Sequence, residues 1–309
     1  MNGPHRTGRS GFALLAVLWV IVGVAAMALA GSLAARTAIA TAQNRVDHTR
    51  AAWRAEGCLE IARATIETGL ATGERSAATW NAVDSVLADS RDVRGAGCDL
   101  TVRAAGAALD VNAAGAEQLR AVFRASGARA GQADSLTDAV LDWRDPDDIA
   151  RPNGAESDWY TARDQLRPRN AGIADVAEFG RIRGMSEVSG IDIILSVEPG
   201  RVPLARAPLA VIASLPGFGD EAVARVAEMR LRGQPPSELL AFAALLSREA
   251  RAALLARYPE LVALVATEPD AWIVRSRATE GPRDIIAAAI EVRLVRAGTR
   301  AAIVRRRTW

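Results

Sequence analysis

The stretch from Phe12 to Ala35 contains no charged side chain. About 20 mostly apolar residues are enough for a helix that crosses the ~30 Å hydrocarbon core of a membrane. Only helices and closed barrels satisfy backbone hydrogen bonds inside lipid, so this stretch is expected to be helical. A cleaved secretory signal is the alternative, because the Ala-Leu-Ala sequence before Gly31 resembles its cleavage site. The apolar run is longer than the ~7–15 residues usual in a signal, which favours a retained membrane helix.

The same helix is expected to continue beyond the membrane. Ile39, Val46 and Trp53 recur every seven residues, and no proline occurs between Gly11 and Leu70. This spacing predicts an amphipathic second half that ends near Leu70. A helix of this length would measure about 85–90 Å at ~1.5 Å per residue.

The composition restricts the chemistry that this chain can perform. All 38 basic residues of the 309 are arginine, and the chain has two histidines and two cysteines. A chain without lysine has no P-loop or Schiff-base lysine, and so few His and Cys do not predict a zinc cluster. The net charge of +2 does not by itself indicate a nucleic-acid binder. No catalytic constellation is recognisable, so we expect a protein that is not an enzyme.

The remaining pattern predicts an α+β fold. Residues 98–103 and 107–111 alternate around a turn at Ala104–Gly106, which is typical of a β-hairpin. Residues 112–266 have helical patterns interrupted by Gly and Pro, and residues 267–309 return to strand patterns, with turns at Gly281-Pro282 and Ala297-Gly298. An isolated hairpin is marginally stable, so we expect a helical block that interrupts a single antiparallel sheet.

Several motifs resemble the pilin superfamily. The basic leader that ends at Gly11 before Phe12 is similar to the class III leader of type IV pilins and type II secretion pseudopilins. Further stretches resemble the general secretion pathway protein K family of large minor pseudopilins; they are residues 109–119, 141–148, 151–160, 167–171 and 176–185. The sequence departs from that family at Asp110 and Ala113, where Asn and Thr are usual.

This resemblance implies a division of the chain into five parts. The first two are a prepilin leader (1–11) and the transmembrane half of the first helix (12–35). The third is a pilin-like domain (36–111), which contains the soluble half of the helix, a connecting segment and the first hairpin. The fourth is an inserted all-α domain (112–266) of two SAM-like or helix-hairpin-helix units, at about 112–200 and 203–266, and the fifth is formed by the C-terminal strands that complete the pilin-like antiparallel sheet (267–309).

The resemblance also implies a function in protein export. A prepilin peptidase would cut between Gly11 and Phe12 and methylate the new N-terminus. The mature chain would cross the bacterial inner membrane once, with most of its residues in the periplasm. Its partners would be other minor pseudopilins and the inner-membrane secretion platform. It would initiate or cap the assembly of a short pseudopilus.

Ala16 occupies the position at which most pilins carry a glutamate. That carboxylate pairs with the N-terminus of a neighbouring subunit, and an unpaired carboxylate in lipid is costly. A subunit with Ala16 needs no subunit ahead of it. In the resembled family, the lack of this glutamate accompanies a position at the tip of the filament. The alternative is that Ala16 is an ordinary residue of a signal peptide.

Residues 211–226 have the pattern of a helix-hairpin-helix. In DNA-binding versions, amides of the turn and of a helix N-terminus contact phosphate. Here Asp220 and Glu221 follow the turn at Pro216–Gly219 and place negative charge where phosphate would lie. We therefore expect the turn only to join two packed helices, and no nucleic acid as a partner. The alternative function is that of a membrane-anchored DNA-binding protein of competence type.

Acidic residues cluster once in the chain. Calcium takes six to eight oxygen ligands, often from loops of this kind, and Asn153-Gly154 supplies a turn, although the spacing is not that of an EF-hand. Helix capping and pairing with Arg144 and Arg151 is the alternative interpretation. Members of the resembled family bind calcium, which implies a structural ion as the only cofactor. The candidate ligands are Asp142, Asp145, Asp147, Asp148, Glu156 and Asp158.

The two cysteines, Cys58 and Cys98, lie on the soluble half of the long helix and at the start of the first strand. In a pilin-like fold that helix crosses one face of the sheet, so the two thiols could meet. An oxidising periplasm would permit a disulfide between them. Two buried free thiols are the alternative.

Overall fold

The computed structural model of the protein describes residues 10–71, 98–266, 269–280 and 285–309. The α-helices are α1 (Ser10–Ala71), α2 (Ala116–Ala125), α3 (Ala130–Arg144), α4 (Ser157–Thr161), α5 (Ile191–Ile194), α6 (Leu209–Ala213), α7 (Asp220–Leu231), α8 (Leu239–Ala244), α9 (Arg248–Ala256) and α10 (Tyr258–Leu264). The strands are β1 (Cys98–Ala104), β2 (Leu109–Asp110), β3 (Leu195–Ser196), β4 (Val202–Pro203), β5 (Val265–Ala266), β6 (Ala271–Glu280), β7 (Ile285–Ala297) and β8 (Arg300–Thr308). The leader before Ser10, the connecting segment at residues 72–97 and the Gly281-Pro282 turn lie outside the described residues.

Helix α1 is continuous from the membrane segment into the folded domain, as the heptad spacing predicts. Its side chains up to Arg50 are exposed or partly exposed. From Ala51 onward one stripe is buried, with Ala55, Leu59 and Ile66 each at 0% exposure. This is the helix in the described part of the chain that is long and apolar enough to cross a membrane.

The main sheet is antiparallel and has the strand order β1-β6-β7-β8. Its first two strands pair from Cys98 with Ala278 to Ala104 with Trp272, so strands more than 160 residues apart in sequence are neighbours. Alternate side chains of a strand point to opposite faces. Trp272, Val274 and Ile290 accordingly pack with α1 in one core. The prediction that a helical block interrupts one antiparallel sheet is confirmed.

The predicted hairpin at residues 98–111 is wrong. The chain turns at Gly106, where φ is +81° and a Cβ would overlap the carbonyl oxygen of Arg201. Leu109 and Asp110 then pair in parallel with Leu195 and Ser196 rather than with β1. The reason is that the two halves are buried in different cores: Leu100 packs against α1, whereas Leu109 packs with the inserted block.

The inserted block is enclosed by two short parallel strand pairs. β2 with β3 encloses residues 111–194, and β4 with β5 encloses residues 204–264. The two segments share one hydrophobic core, in which Phe123, Trp143 and Phe242 are almost fully buried. The block is helical as expected, and its assignment to a SAM-like fold stays a prediction.

Ion contacts along α1 show which end of the sheet carries the inserted block. In the soluble half of the helix, Arg54 pairs with Glu280 at the end of β6, at 2.6 Å. Nearer the C-terminus of the helix, Glu67 accepts a hydrogen bond from the N–H of Ala301 at the start of β8. The block joins the sheet at Ala104 and Ala271, which lie at the same end as Ala301. The block therefore joins the sheet at the end farthest from the apolar half of α1 and from there also packs against the face opposite α1.

Arginines on the face of the sheet opposite α1 hold the inserted block in place. Arg293 lies 3.3 Å from a carboxylate oxygen of Glu198, and Arg305 also contacts Glu198. Arg307 pairs with Asp175 at 2.8 Å. Glu198 is 4% exposed, so its charge is compensated by these guanidinium groups rather than by water.

Candidate functional site

The acidic cluster lies in the loop between α3 and α4. Helix α3 ends at Arg144, and Asp145 adopts an extended conformation because Pro146 disfavours a helical residue before it. Arg144 does not pair with the acidic residues. It donates hydrogen bonds to the carbonyl oxygens of Val111 and Ala114, which fixes the end of α3 against the segment after β2.

Three of the six predicted carboxylates converge. One oxygen each from Asp145, Asp147 and Glu156 lies within 4.8 Å of the others. Both carboxylate oxygens of Glu156 and Oδ1 of Asp145 are buried and accept no hydrogen bond. Buried polar atoms are almost always paired, so three unpaired anionic oxygens at one place call for a positive partner.

The electrostatics of the loop agree with this geometry. Burial is the main cause that raises the pKa of Glu156 to about 7, and the carboxylates of Asp142, Asp145, Asp148 and Asp147 contribute to the same rise. A positive ion between the carboxylates would remove that repulsion. The residues present fit calcium, which prefers carboxylate and carbonyl oxygens. Asp145, Asp147 and Glu156 would hold it.

The other three predicted ligands do not join this group. Asp142 is fully buried and accepts hydrogen bonds from the backbone N–H and the guanidinium of Arg151, the latter at 2.6 Å. Asp148 accepts hydrogen bonds from the side chains of Ser157 and Asn170, and these bonds hold the pKa of Asp148 below its usual range. Asp158 is exposed on α4. Asp142 thus pairs with an arginine, as the alternative to calcium binding predicted. The guanidinium of Arg151 also donates a hydrogen bond to Asp145.

Asn170 belongs to the same site and was not predicted as a ligand. Its side-chain amide donates to the carbonyl oxygen of Asp147 at 2.8 Å and to Asp148 at 3.1 Å. Its Oδ1 is buried and accepts no hydrogen bond. Asn170 has a φ of 50°, a conformation that Asn tolerates better than most residues. The only signal in the sequence was its place in the stretch 167–171 that carries the family resemblance.

The turn at residues 214–219 joins α6 to α7. Gly217 has a φ of +78°, and a Cβ there would lie 2.8 Å from the carbonyl oxygen of Ala253 on α9. Glu221 accepts hydrogen bonds from the backbone N–H and hydroxyl of Ser247, at 2.7 and 2.6 Å. Ser247 in turn caps the N-terminus of α9. The turn is therefore packed against a neighbouring helix, and Glu221 is committed to a structural contact.

The predicted processing and tip positions lie in the first turns of α1. The helix begins at Ser10, and Phe12 is exposed. Ala16 is also exposed, within the apolar half of the helix.

Cys58 lies further along α1, on its buried face, and is disulfide-bonded. The side chain of Cys98 lies outside the described residues, so its pairing with Cys58 stays a prediction.

Comparison with known families identifies part of this chain. Residues 98–189, which contain β1, the acidic loop and Asn170, match the family model of type II secretion system (T2SS) protein K. The chain carries a protein K domain. The resemblance noted in the sequence is thereby confirmed for these residues. No curated protein sequence matches it.

A solved structure supports the protein K fold. The chain is similar to one in the crystal structure of the GspK-GspI-GspJ complex from the type 2 secretion system of enterotoxigenic Escherichia coli. The identity is 14% and the TM-score is 0.61. The alignment covers 87% of this chain and 99% of the other. At this identity the likeness establishes the fold, including the inserted block.

Proposed function

We propose that this chain is the tip subunit of a short periplasmic pseudopilus, where it initiates or caps assembly for protein export. A prepilin peptidase removes residues 1–11 and methylates Phe12, and α1 then anchors the chain in the inner membrane. The observation that carries the proposal is that the inserted block joins the sheet at the end farthest from the apolar half of α1.

The size and position of this block favour the last place in a filament. Subunits of a pilin-like filament stack along their parallel first helices, so another subunit would have to lie above each internal one. Residues 107–266 form a domain with its own core at that upper end. A subunit placed above it would have to displace this domain, whereas at the tip nothing has to be displaced.

The membrane half of α1 supports the same position. No carboxylate occurs between Phe12 and Ala35, so Ala16 and its neighbours make no ion pair with the N-terminus of a subunit ahead. A carboxylate left unpaired at that depth would cost about 3 kcal/mol on insertion scales. The first subunit of a filament has no such partner, so an apolar residue suits it.

Other minor pseudopilins are the partners that we propose for this subunit. The similar crystal structure is a complex of GspK with GspI and GspJ. We propose equivalent neighbours here, together with the inner-membrane platform that drives assembly. The exposed stripe of Ile39, Val46 and Trp53 on α1 offers the surface for them, with Trp53 74% exposed.

Labelling of assembled filaments tests the tip position. The chain carrying a C-terminal epitope would be expressed with its secretion system under conditions that lengthen the pseudopilus. Gold-labelled antibody is expected at one end of each filament, and the same tag on the major subunit should label the full length. Label along the shaft from the tagged chain would disprove the proposal.

The processing step has a separate test. Mass spectrometry of the membrane-extracted protein should give a methylated N-terminus at Phe12, and a Gly11→Leu variant should retain the leader. A mature N-terminus at Gly31 would show that the apolar stretch is a cleaved signal, and the anchored tip subunit would then be excluded.

We also propose that a calcium ion stabilises the protein K domain by binding Asp145, Asp147 and Glu156. Calcium added to the chelator-treated full chain in detergent should raise its melting temperature. Glu156→Gln and Asp145→Asn should remove this response, and Asp158→Asn, on an exposed residue outside the group, should keep it. An unchanged response in Glu156→Gln would exclude the site.

A further inference from the structure

A cleft separates the inserted block from the face of the main sheet opposite α1. Its volume is about 480 Å³, and its floor is formed by outward-facing residues of β1, β6 and β7. The opposite wall comes from the inserted block, including Val176, Ile193 and Pro208. None of the carboxylates of the acidic loop lines this cleft, whereas the ion pairs of Glu198 and Asp175 with the sheet lie at its border.

The floor of the cleft is rich in guanidinium groups. Arg275 is paired with Glu291 through two hydrogen bonds, at 2.7 and 3.0 Å. Arg103 donates only to the backbone carbonyl oxygen of Asp192, at 2.9 Å, and forms no ion pair with a carboxylate of the described residues. Arg277 is half-buried and makes no hydrogen bond or ion pair within the described part of the chain. Two guanidinium groups on this floor therefore form no ion pair within the described residues, although Asp99 is directly opposite Arg277 in the strand pairing.

The environment makes an anion favourable here. Burial lowers the pKa of Arg103, and Arg275 adds to this effect, while the carboxylates of Glu291, Asp192 and Glu198 oppose it. A half-buried guanidinium has lost part of its water shell, so a charge-assisted hydrogen bond to a carboxylate is worth more than at an open surface. The two remaining carboxylates that line the cleft, Asp99 and Asp192, are on exposed residues.

The spacing of the arginines fits an extended polypeptide. Arg275 and Arg277 are alternate residues of β6 and so point from the same face, about 7 Å apart at ~3.4 Å per residue. Arg103 lies on the adjacent strand, where it is opposite Ile273. Alternate side chains of an extended peptide have the same spacing of about 7 Å. The apolar wall of Val176 and Pro208 can pack against the aliphatic parts of such a peptide.

We propose that this cleft binds an acidic, extended segment of a partner protein, whose carboxylates pair with Arg103 and Arg277. Recognition depends on two features together. The guanidinium groups form no ion pair within the described residues, and the outward-facing side chains of the strand have the same spacing as alternate side chains of an extended peptide. The inference goes beyond the tip position and the calcium ion, and it requires neither.

Peptide binding to the full chain in non-ionic detergent tests this inference. A fluorescein-labelled peptide in which aspartate and alanine alternate is expected to bind, as measured by fluorescence anisotropy at low salt. The matched peptide with asparagine in place of aspartate should bind at least about tenfold more weakly, the loss expected for about 1.4 kcal/mol of charge-assisted hydrogen bonding. Free succinate should compete only weakly, because it spans one arginine pair at most.

Variants locate the binding on the cleft. Arg277→Gln, which removes a guanidinium that makes no hydrogen bond or ion pair within the described residues, and Arg103→Gln should each weaken binding about tenfold. Asp99→Asn removes a repelling carboxylate at the mouth and should strengthen it. Arg248→Gln, on an exposed arginine of α9, is the matched control. Unchanged binding in Arg277→Gln, equal affinity for the asparagine peptide, or competition by succinate as strong as by the unlabelled peptide would each overturn the inference.

Discussion

The carboxylate of Glu67 accepts a hydrogen bond from the backbone N–H of Ala301, 3.0 Å away and 234 residues later in the chain. The contact joins the anchor helix to the first residues of β8. Further polar contacts between α1 and the sheet join Arg54 to Glu280 and Glu56 to Arg306. These contacts set the direction of α1 relative to the strands, and thereby the end of the molecule at which the inserted block lies.

Removal of the Glu67 acceptor should loosen this end of the sheet. We expect Glu67→Ala to lower the free energy of unfolding by about 1–2 kcal/mol, the usual value of a hydrogen bond to a charged group. Glu67→Gln keeps an acceptor oxygen and should lose less. Glu60→Ala, on the same helix and paired only with Arg63, is the control. Urea unfolding followed by circular dichroism measures the free energy of unfolding of the three variants. Equal stability of Glu67→Ala and Glu60→Ala would contradict the expected role of Glu67.

Stability without metal should depend on pH through Glu156. The pKa of this group rises from 4.5 in the unfolded chain to about 7 in the folded one, so the folded state retains a proton that the unfolded state releases. Its contribution to stability is fully present below pH 4.5 and is lost as the pH rises through about 7. In chelator, the wild type should lose stability relative to Glu156→Gln between about pH 5 and 8. Parallel curves for the two proteins would show that Glu156 ionises normally.

Gly154 is required by its contacts with α3 rather than by an unusual backbone conformation. A Cβ at this position would overlap the carboxylate of Asp142 and lie 3.2 Å from the carbonyl oxygen of Asp138. Because Asp142 is fixed by Arg151, we expect Gly154→Ala to destabilise the protein by about 1–3 kcal/mol, the range for overpacking. Gly131→Ala, at a helical site with open space, should be neutral or stabilising by up to about 1 kcal/mol. Thermal unfolding distinguishes the two, and similar melting temperatures would refute the steric argument.

The cysteines should be oxidised in protein isolated from its natural compartment. We expect no reactive thiol in the denatured, unreduced chain, because Cys58 is disulfide-bonded and Cys98 is the other cysteine of the sequence. A bridge between them closes a loop of about 40 residues, for which the chain-entropy model gives roughly 3–4 kcal/mol. Reduction should lower the stability of the wild type and leave the Cys58→Ser/Cys98→Ser variant unchanged. Two free thiols in the unreduced protein would rule out the pairing.

Nucleic acid should not bind to the turn at residues 214–219. The turn packs on α9 and Glu221 is bonded to Ser247, so we expect no salt-sensitive DNA affinity in the micromolar range typical of non-specific binders. Gly217→Asp is a poor probe because its side chain would collide with Ala253. Gly219→Asp has open space and adds a good N-cap to α7, so it keeps the fold while adding charge. Tight DNA binding that Gly219→Asp abolishes would favour the competence-type alternative.

Local periodicity was sufficient to predict the elements whose sequence signals are long. The uncharged run and the heptad of Ile39, Val46 and Trp53 predicted α1, and alternating stretches predicted the three C-terminal strands. The motifs around residues 109–185 predicted the protein K domain before any coordinates were known. These predictions succeed because burial of one helix face or one strand face imposes a pattern on neighbouring residues of the chain.

Only the tertiary structure decided which residues meet across long distances. The partner of Leu109 is Leu195, since the core that buries Leu109 is built from residues far along the chain. The acidic run could not show that Asp142 pairs with Arg151 while Glu156 faces Asp145 and Asp147, because side-chain direction in a loop has no sequence period. Likewise, Arg103 and Arg277 share a cleft only because β1 and β6 pair. The sequence by itself determined the long helix, the C-terminal strands and the resemblance to protein K, and long-range packing determined the strand partners and the sites.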